Sequence, residues 1–189
     1  MRHGRRRPLT AEQIERTGAF IAAQQESDGG LPWCKGGKMD PWDHVQAAMG
    51  LALTGQLDRA EAAFRYLARH QEPDGAWASW WQNGLVTDET HETNHAAYTA
   101  TGLWYVHRAR RSIDFLAEMW PMLERAIEFV VSLQQPDGVI FWATKHGKPW
   151  RQPLLTGSAS TYGSLVCAER IAAELDRDRP AWRQARLRL

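Results

Sequence analysis

Three times this chain writes one phrase: Phe20-Ile21-x3-Gln25-x2-Asp28-Gly29, Tyr66-Leu67-x3-Gln71-x2-Asp74-Gly75 and Phe129-Val130-x3-Gln134-x2-Asp137-Gly138. An aromatic, a branched aliphatic, a glutamine and an Asp-Gly recur at a constant internal spacing. The copies are separated by distances of supersecondary size, so each reads as one structural unit stacked on the next.

Each copy closes an amphipathic helix. In the first, Thr10 and Gln13 have capping-box spacing, and Ile14, Thr17, Gly18, Ile21 and Gln25 share a face. In the second, Asp58 is placed to cap a helix whose stripe is Ala60, Ala63, Phe64, Leu67 and Gln71. The third is expected to begin at Pro121, as a first-turn proline, and to run through Leu123, Ile127 and Val130 to Gln134, with a short turn from Ser112 to Met119 before it. All three stop at Ser-Asp-Gly or Pro-Asp-Gly, where glycine accepts positive φ. Beyond each stop lie a loop and a second helix, over 42–54, 93–108 and 158–175, rich in small residues and apolar around much of its circumference, as a helix buried on several sides must be. The expected fold is therefore all-α: helical hairpins, about three of them, forming part of an α/α toroid over residues 10–176. Residues 1–9 read as a basic, solvated start (Arg2, His3, Arg5, Arg6, Arg7), and 177–189 as an Arg-rich tail or the start of a further hairpin.

Composition excludes several classes of function. A net charge of +1 gives no general pull toward nucleic acid or a membrane surface. No apolar run reaches membrane-spanning length, and the stretch from Ala19 to Ala23 is too short for a signal peptide. Two cysteines, Cys34 and Cys167, supply neither a disulfide framework nor a Cys-x-x-Cys metal pair, which fits a reducing, cytoplasmic setting. Ten tryptophans are the compositional outlier, and indoles build either a dense core or the wall of an aromatic pocket.

The phrase resembles the Gln-x3-Gly-x-Trp repeat of terpenoid cyclases: Gln71-x3-Gly75-Ala76-Trp77 matches in full, while the other copies place Leu31 and Ile140 at the Trp position, with Trp33 and Trp142 two residues later. Asp40-Pro41-Trp42-Asp43-His44, Thr93-Asn94-His95-Ala96-Ala97-Tyr98, Met119-Trp120-Pro121 and Leu155-Thr156-Gly157-Ser158 look like actinobacterial prenyltransferase-like proteins of the terpenoid cyclase and protein prenyltransferase superfamily. The resemblance covers most of residues 10–176 and implies a hydrophobic, isoprenoid-type substrate in a central aromatic cavity. It also implies an incomplete ring, for which a homodimer is an alternative explanation.

In such a toroid, polar groups at the start of the inner helices face the cavity. The candidate catalytic residues are Asp40, Asp43 and Glu92, because neighbouring carboxylates in a desolvated cavity raise one another's pKa and can hold a proton for general-acid work; the competing reading of Asp40 or Asp43 is a helix cap. The candidate substrate-binding residues are Trp42, His44, Asn94, His95, Tyr98, Trp104, Ser158 and Tyr162. No cofactor is implied: Asp-x-Cys and Asp-rich diphosphate motifs are missing, so neither zinc nor magnesium is supported by a motif. His91-Glu92-Thr93-Asn94-His95 spells the zincin signature but falls at a loop-to-helix junction. Two other readings remain at this level. Asp114-Phe115-Leu116-x3-Trp120-Pro121 through Asp137-Gly138 is similar to the hairpins of six-hairpin glycosidases, whose sugar substrates stack on tryptophan and whose acid and base would here be Asp40 or Asp43 paired with Glu89 or Glu92. The other is a binding or scaffold repeat without catalysis.

Overall fold

The computed structural model describes residues 9–189; residues 1–8, most of the basic start, lie outside it. The described residues form seven helices and five short strands, in the order α1 (Ala11–Gln24), β1 (Lys38–Met39), α2 (Pro41–Leu53), α3 (Leu57–Arg69), β2 (Ala78–Gln82), β3 (Leu85–Glu92), α4 (Thr93–Arg110), α5 (Ile113–Ser132), β4 (Ala143–Lys145), β5 (Lys148–Trp150), α6 (Leu155–Glu174) and α7 (Pro180–Arg188).

The expectation of an all-α chain is overturned by the strands. They form one antiparallel sheet in the order β1-β2-β3-β4-β5, assembled from the three long loops that lead into α2, α4 and α6. Two of its turns are Asn83-Gly84 and His146-Gly147, with positive φ at both central residues, the conformation that matches the twist of a tight hairpin. The sheet therefore caps the helical layer on the side where the inner helices begin.

The short connections lie at the opposite end. α2 turns into α3 at Gly55 (φ 82°), α4 into α5 at Arg111 (φ 55°) and α6 into α7 near Asp176 (φ 56°), so the tight helical hairpins are α2/α3, α4/α5 and α6/α7. α2, α4 and α6 lie side by side through small residues. Gly102 of α4 sits against Val45 of α2 and Phe64 of α3, where an added Cβ has no space, and Thr101 shares a 3.0 Å hydrogen bond with Ser164 of α6.

The helix starts follow local chemistry. Thr10 and Gln13 form the capping box on α1. Asp40 caps α2, with Pro41 in the first turn. Asp58 does not cap α3; it lies one position inside the helix and pairs with Arg110 at 3.0 Å. The helix expected to start at Pro121 instead starts at Ile113, capped by Ser112, and passes through Pro121 without ending. Phe115, Leu116, Met119, Trp120, Met122 and Leu123 are all buried on both sides of that proline, and this packing outweighs the one backbone hydrogen bond it removes.

The repeated phrase ties the outer helices together. The side-chain amide of Gln25 donates to Gly29 O (3.2 Å) and Arg59 O (2.9 Å), that of Gln71 to Gly75 O (2.8 Å) and Met122 O (2.9 Å), and that of Gln134 to Gly138 O (2.9 Å) and Ala185 O (2.8 Å). Arg59, Arg125 and Arg188 of the following outer helices donate to the three glutamine oxygens. Asp28, Asp74 and Asp137 each accept from the backbone N–H two residues ahead, which fixes the turn.

Candidate functional site

A cavity of about 400 Å³ opens where the sheet meets the first turns of α2, α4 and α6. Its floor is polar, with Asp40 and Asp43 from the start of α2 and Glu92, Asn94 and His95 from the junction of β3 and α4. Three indoles, Trp42, Trp80 and Trp142, form its walls, and the α6 side contributes Thr156 and Ser160.

Each indole is fixed from behind. Trp42 stacks on Tyr98 with ring centroids 3.9 Å apart and planes 14° from parallel. Trp80 lies in an irregular stretch of β2 where the pairing register with β3 shifts on either side of it, the kind of bulge that re-aims a side chain. Trp142 donates its indole N–H to Glu92 Oε2 at 3.0 Å and meets Trp150 edge-on at 5.1 Å.

The carboxylates occupy different environments. Asp40 is buried, and both of its oxygens are engaged: Oδ1 accepts the Asp43 backbone N–H (2.9 Å) as the helix cap and Oδ2 accepts the Trp33 indole N–H (2.7 Å). It is thus a cap that also lines the cavity. Glu92 accepts from Ser79 Oγ (2.9 Å) and from Trp142, with His95 Nε2 at 3.5 Å from Oε2. Asp43, one turn along α2, is pushed up to about 6, first by lost hydration and then by the negative Asp40 beside it; the charge of Lys38 pulls it the other way. Burial pushes the His95 imidazole below its ordinary value, against the pull of Glu92 and Asp40, so the ring is neutral near pH 7. Nδ1 of His95, Oδ1 of Asn94 and Oγ of Ser160 are buried without a protein partner, and all three residues line this cavity.

The structure gathers Asp40, Asp43, Glu92, Trp42, Asn94 and His95 around the cavity and places Tyr98 directly behind Trp42. His44 is elsewhere: it is fully buried, its Nδ1 accepts from Leu31 N–H (3.1 Å) and its Nε2 donates to Ala63 O (2.9 Å). That neutral ring joins a loop to α3, and burial depresses its pKa to about 4. Trp104 lies farther along α4 between Arg108 and Arg170. Ser158 and Tyr162 are on α6 outside the cavity lining, with Tyr162 beside Arg186. Glu89 pairs with His146 at 3.2 Å and borders a separate shallow groove with Asp74 and His91.

The zincin-like match is divided between elements. His91 is in β3 and bonds Asp74 at 2.7 Å, whereas His95 is in α4, so the imidazoles share no helix face. Among the described residues no group of three His, Cys, Asp or Glu side chains is placed to hold a metal ion.

Trp33, Trp80 and Trp142 were not singled out as site residues by their sequence context. A signal for two of them is the break in the repeat: Trp77, Leu31 and Ile140 at the equivalent position are buried in the core, while Trp33 and Trp142, shifted by two, lie on the site side.

No protein-family model matches this chain. A curated relative, the MMP endo-(1,4)-3-O-methyl-α-D-mannosidase of Mycolicibacterium hassiacum, is 42% identical over 177 residues, which is 94% of this chain and 49% of the relative. The chain thus spans about half the length of that protein. Among solved structures, a D-mannose isomerase superposes with a TM-score of 0.71 at 14% identity, covering 97% of this chain and 51% of the other. The endo-β-1,4-glucanase CMCax of Acetobacter xylinum gives 0.67 at 15% identity (93% and 56%), and the unsaturated glucuronyl hydrolase of Bacillus sp. GL1 gives 0.66 at 17% (92% and 52%). These likenesses establish the fold, and the chain corresponds to roughly half of each neighbour. They overturn the resemblance to prenyltransferases and terpenoid cyclases, together with the isoprenoid substrate and transferase activity it implied: the 42%-identical relative is a mannosidase and the structural neighbours act on sugars.

Proposed function

We propose that this chain carries the sugar-binding and acid-bearing part of a glycoside hydrolase acting on an α-(1,4)-linked, O-methylated mannoside. The observation that carries the reading is the cavity itself, in which three indole walls surround the carboxyl groups of Asp40, Asp43 and Glu92, and the Asp43 pKa is pushed up. Flat indole faces stack on the C–H faces of a pyranose, and polar groups on the floor meet its hydroxyls. The same indoles leave apolar surface against which a methoxy group loses no hydrogen bond. The 42% identity to a 3-O-methylmannosidase supports this choice of sugar.

Hydrolysis of a glycosidic bond needs a protonated acid at the leaving oxygen and an anion near the sugar ring. Asp43 is the acid of this proposal, since its proton persists to about pH 6. As the C1–O bond breaks, that proton passes to the departing oxygen, and water adds to C1 and releases its own proton to a carboxylate. Glu92, held by Ser79 and Trp142, and the buried Asp40 supply negative charge for the cationic ring.

Calorimetric titration tests the binding part directly. A (1,4)-linked 3-O-methyl-α-mannoside oligosaccharide is expected to bind the chain, and Trp42→Ala to weaken it at least about tenfold. Prenyl diphosphates are expected not to bind. Undetectable sugar binding, or equal binding by Trp42→Ala, removes the reading.

A further inference from the structure

Trp33 is an unusual tryptophan: it is 52% exposed, yet its indole N–H ends on Asp40, which is only 2% exposed. The loop holding it closes on itself. Trp33 N–H donates to Lys38 O (2.9 Å) and Gly37 N–H to Cys34 O (2.7 Å), and a Cβ on Gly37 would lie 2.8 Å from Cys34 Sγ. Lys38 then reaches back across the loop. Its Nζ lies 4.2 Å from the Trp33 ring centroid and 3.5 Å from that of Trp80, and the two indoles meet edge-on at 5.3 Å. One ammonium group thus clamps a cavity wall, Trp80, to the indole that holds Asp40.

We infer that Trp33, clamped by Lys38, is a positioning residue: its indole N–H engages Asp40 and so leaves Asp43 to carry the exchangeable proton of the pair. The inference rests on the reading of Asp43 as the acid. Two neighbouring carboxylates share their protons as a unit, and the hydrogen bonds each accepts change how a proton divides between them. Asp40 accepts from Trp33 Nε1–H and from Asp43 N–H, so both of its oxygens are engaged and the proton is left to Asp43. The charged and titratable groups facing Asp43 are Asp40 beside it, Lys38 from β1, and Glu92 and His95 from the β3–α4 side of the cavity; α1 presents Phe20, Ile21 and Gln24. Lys38 lowers the Asp43 pKa by its charge, whereas the Trp33 N–H ends on Asp40 and reaches Asp43 only through it, so the two removals have opposite signs.

The test is a carboxyl-carbon NMR titration of the aspartates, which needs neither substrate nor turnover. Trp33→Phe keeps an aromatic ring against Lys38 and Trp80 and deletes only the N–H. The Asp43 midpoint is expected to fall by about half a pH unit or more, because a carboxylate that has lost its donor competes for the proton of the pair. Lys38→Met leaves the Trp33–Asp40 hydrogen bond in place and is expected to raise the Asp43 midpoint through loss of charge. It serves as the independent variant if Trp33→Phe does not fold. Asp40→Asn is expected to return Asp43 toward 3.8, its ordinary value. An unmoved Asp43 midpoint in Trp33→Phe, or in Lys38→Met where only that variant folds, overturns the inference. Sugar titrations on the same samples keep the two ideas separate: a shifted midpoint without sugar binding sinks the proposed function alone, and sugar binding with an unmoved midpoint sinks the role of Trp33 alone.

Discussion

On the sheet side of the helical layer the outer and the inner helices solve opposite problems. Where the outer helices terminate, three copies of one phrase do the same job, and each glutamine amide satisfies two carbonyls while an arginine of the next outer helix satisfies its oxygen. Where the inner helices begin, no residue pattern repeats: Asp40 caps α2 with its side chain, while α4 and α6 start without a side-chain cap. The polar groups of the repeated phrase find partners within the protein. At the starts of the inner helices Asn94, His95 and Ser160 keep buried polar atoms without one. A region that has satisfied its own hydrogen bonds is built for stability, and one that has not is available to a ligand.

If that contrast holds, the largest stability losses come from the repeated phrase. Gly75 has φ 94°, and a Cβ there would run into the carbonyl of Arg125 on the neighbouring outer helix. Gly75→Ala is expected to cost about 4 kcal/mol in urea denaturation, from backbone strain and steric overlap together. Gly55 has φ 82° but open space around it, so Gly55→Ala isolates the strain at about 1 kcal/mol. Equal losses at the two glycines would show that close approach of the outer helices is not what the Asp-Gly turn protects.

His44 gives the next largest effect and a sign that can be checked. Its folded pKa is depressed from 6.5 to about 4, so the stability it contributes is present above about pH 6.5 and lost as pH falls through about 4. The loss is on the order of 3 kcal/mol for this fully buried ring. Asp74 and Glu118 have lowered pKa values and add acid sensitivity of their own, so the informative quantity is the difference between wild type and His44→Asn. The variant is expected to be less stable at pH 7 and to show a flatter fall toward pH 4. Parallel curves would remove His44 from the acid response. Gln134→Ala follows, at about 2 kcal/mol, because it strips the α5 end and Ala185 O of α7 of a shared partner.

How far the sequence revealed this division depends on the kind of residue. The Gln and Asp-Gly positions were legible because hydrogen bonding to backbone needs the same side chain at the same spacing each time. That regularity was also misleading. Docking one outer helix onto the next is a task common to helical toroids of any activity, so Gln71-x3-Gly75-Ala76-Trp77 spoke for architecture and pointed to the wrong chemistry. The sheet escaped because β3, from Leu85 to Glu92, is polar and mostly exposed and shows no apolar alternation; Asn83-Gly84 was its visible mark. Asp40, Asp43 and Glu92 could be found from their place before the inner helices. His44 looked equivalent, one residue from Asp43, yet that step around a helix turns it into the core. Trp33 and Trp142 were marked only by their two-residue shift from the core position of the repeat, and Trp80 could not be separated from core indoles, since burial and sugar stacking ask for the same side chain.

The smallest stability effect is expected where the functional effect is greatest. The folded pKa of Asp43 is raised from 3.8 to about 6, so any stability it contributes is present below about pH 4 and is lost as pH rises through about 6. Asp43→Asn removes that loss. At pH 8 the variant should match or exceed wild type, by less than about 1 kcal/mol because Asp43 is exposed and water screens most of the penalty. In a mixture that hydrolyses the methylated mannoside, the same variant is expected to lose about a hundredfold or more in kcat with KM little changed, and the wild-type rate to fall as pH rises through about 6. A carboxylate whose removal leaves folding intact and abolishes turnover belongs to the ligand's side of the comparison. One whose removal unfolds the chain belongs with Gln71 and Gly75, and the acid must then be another group in the cavity.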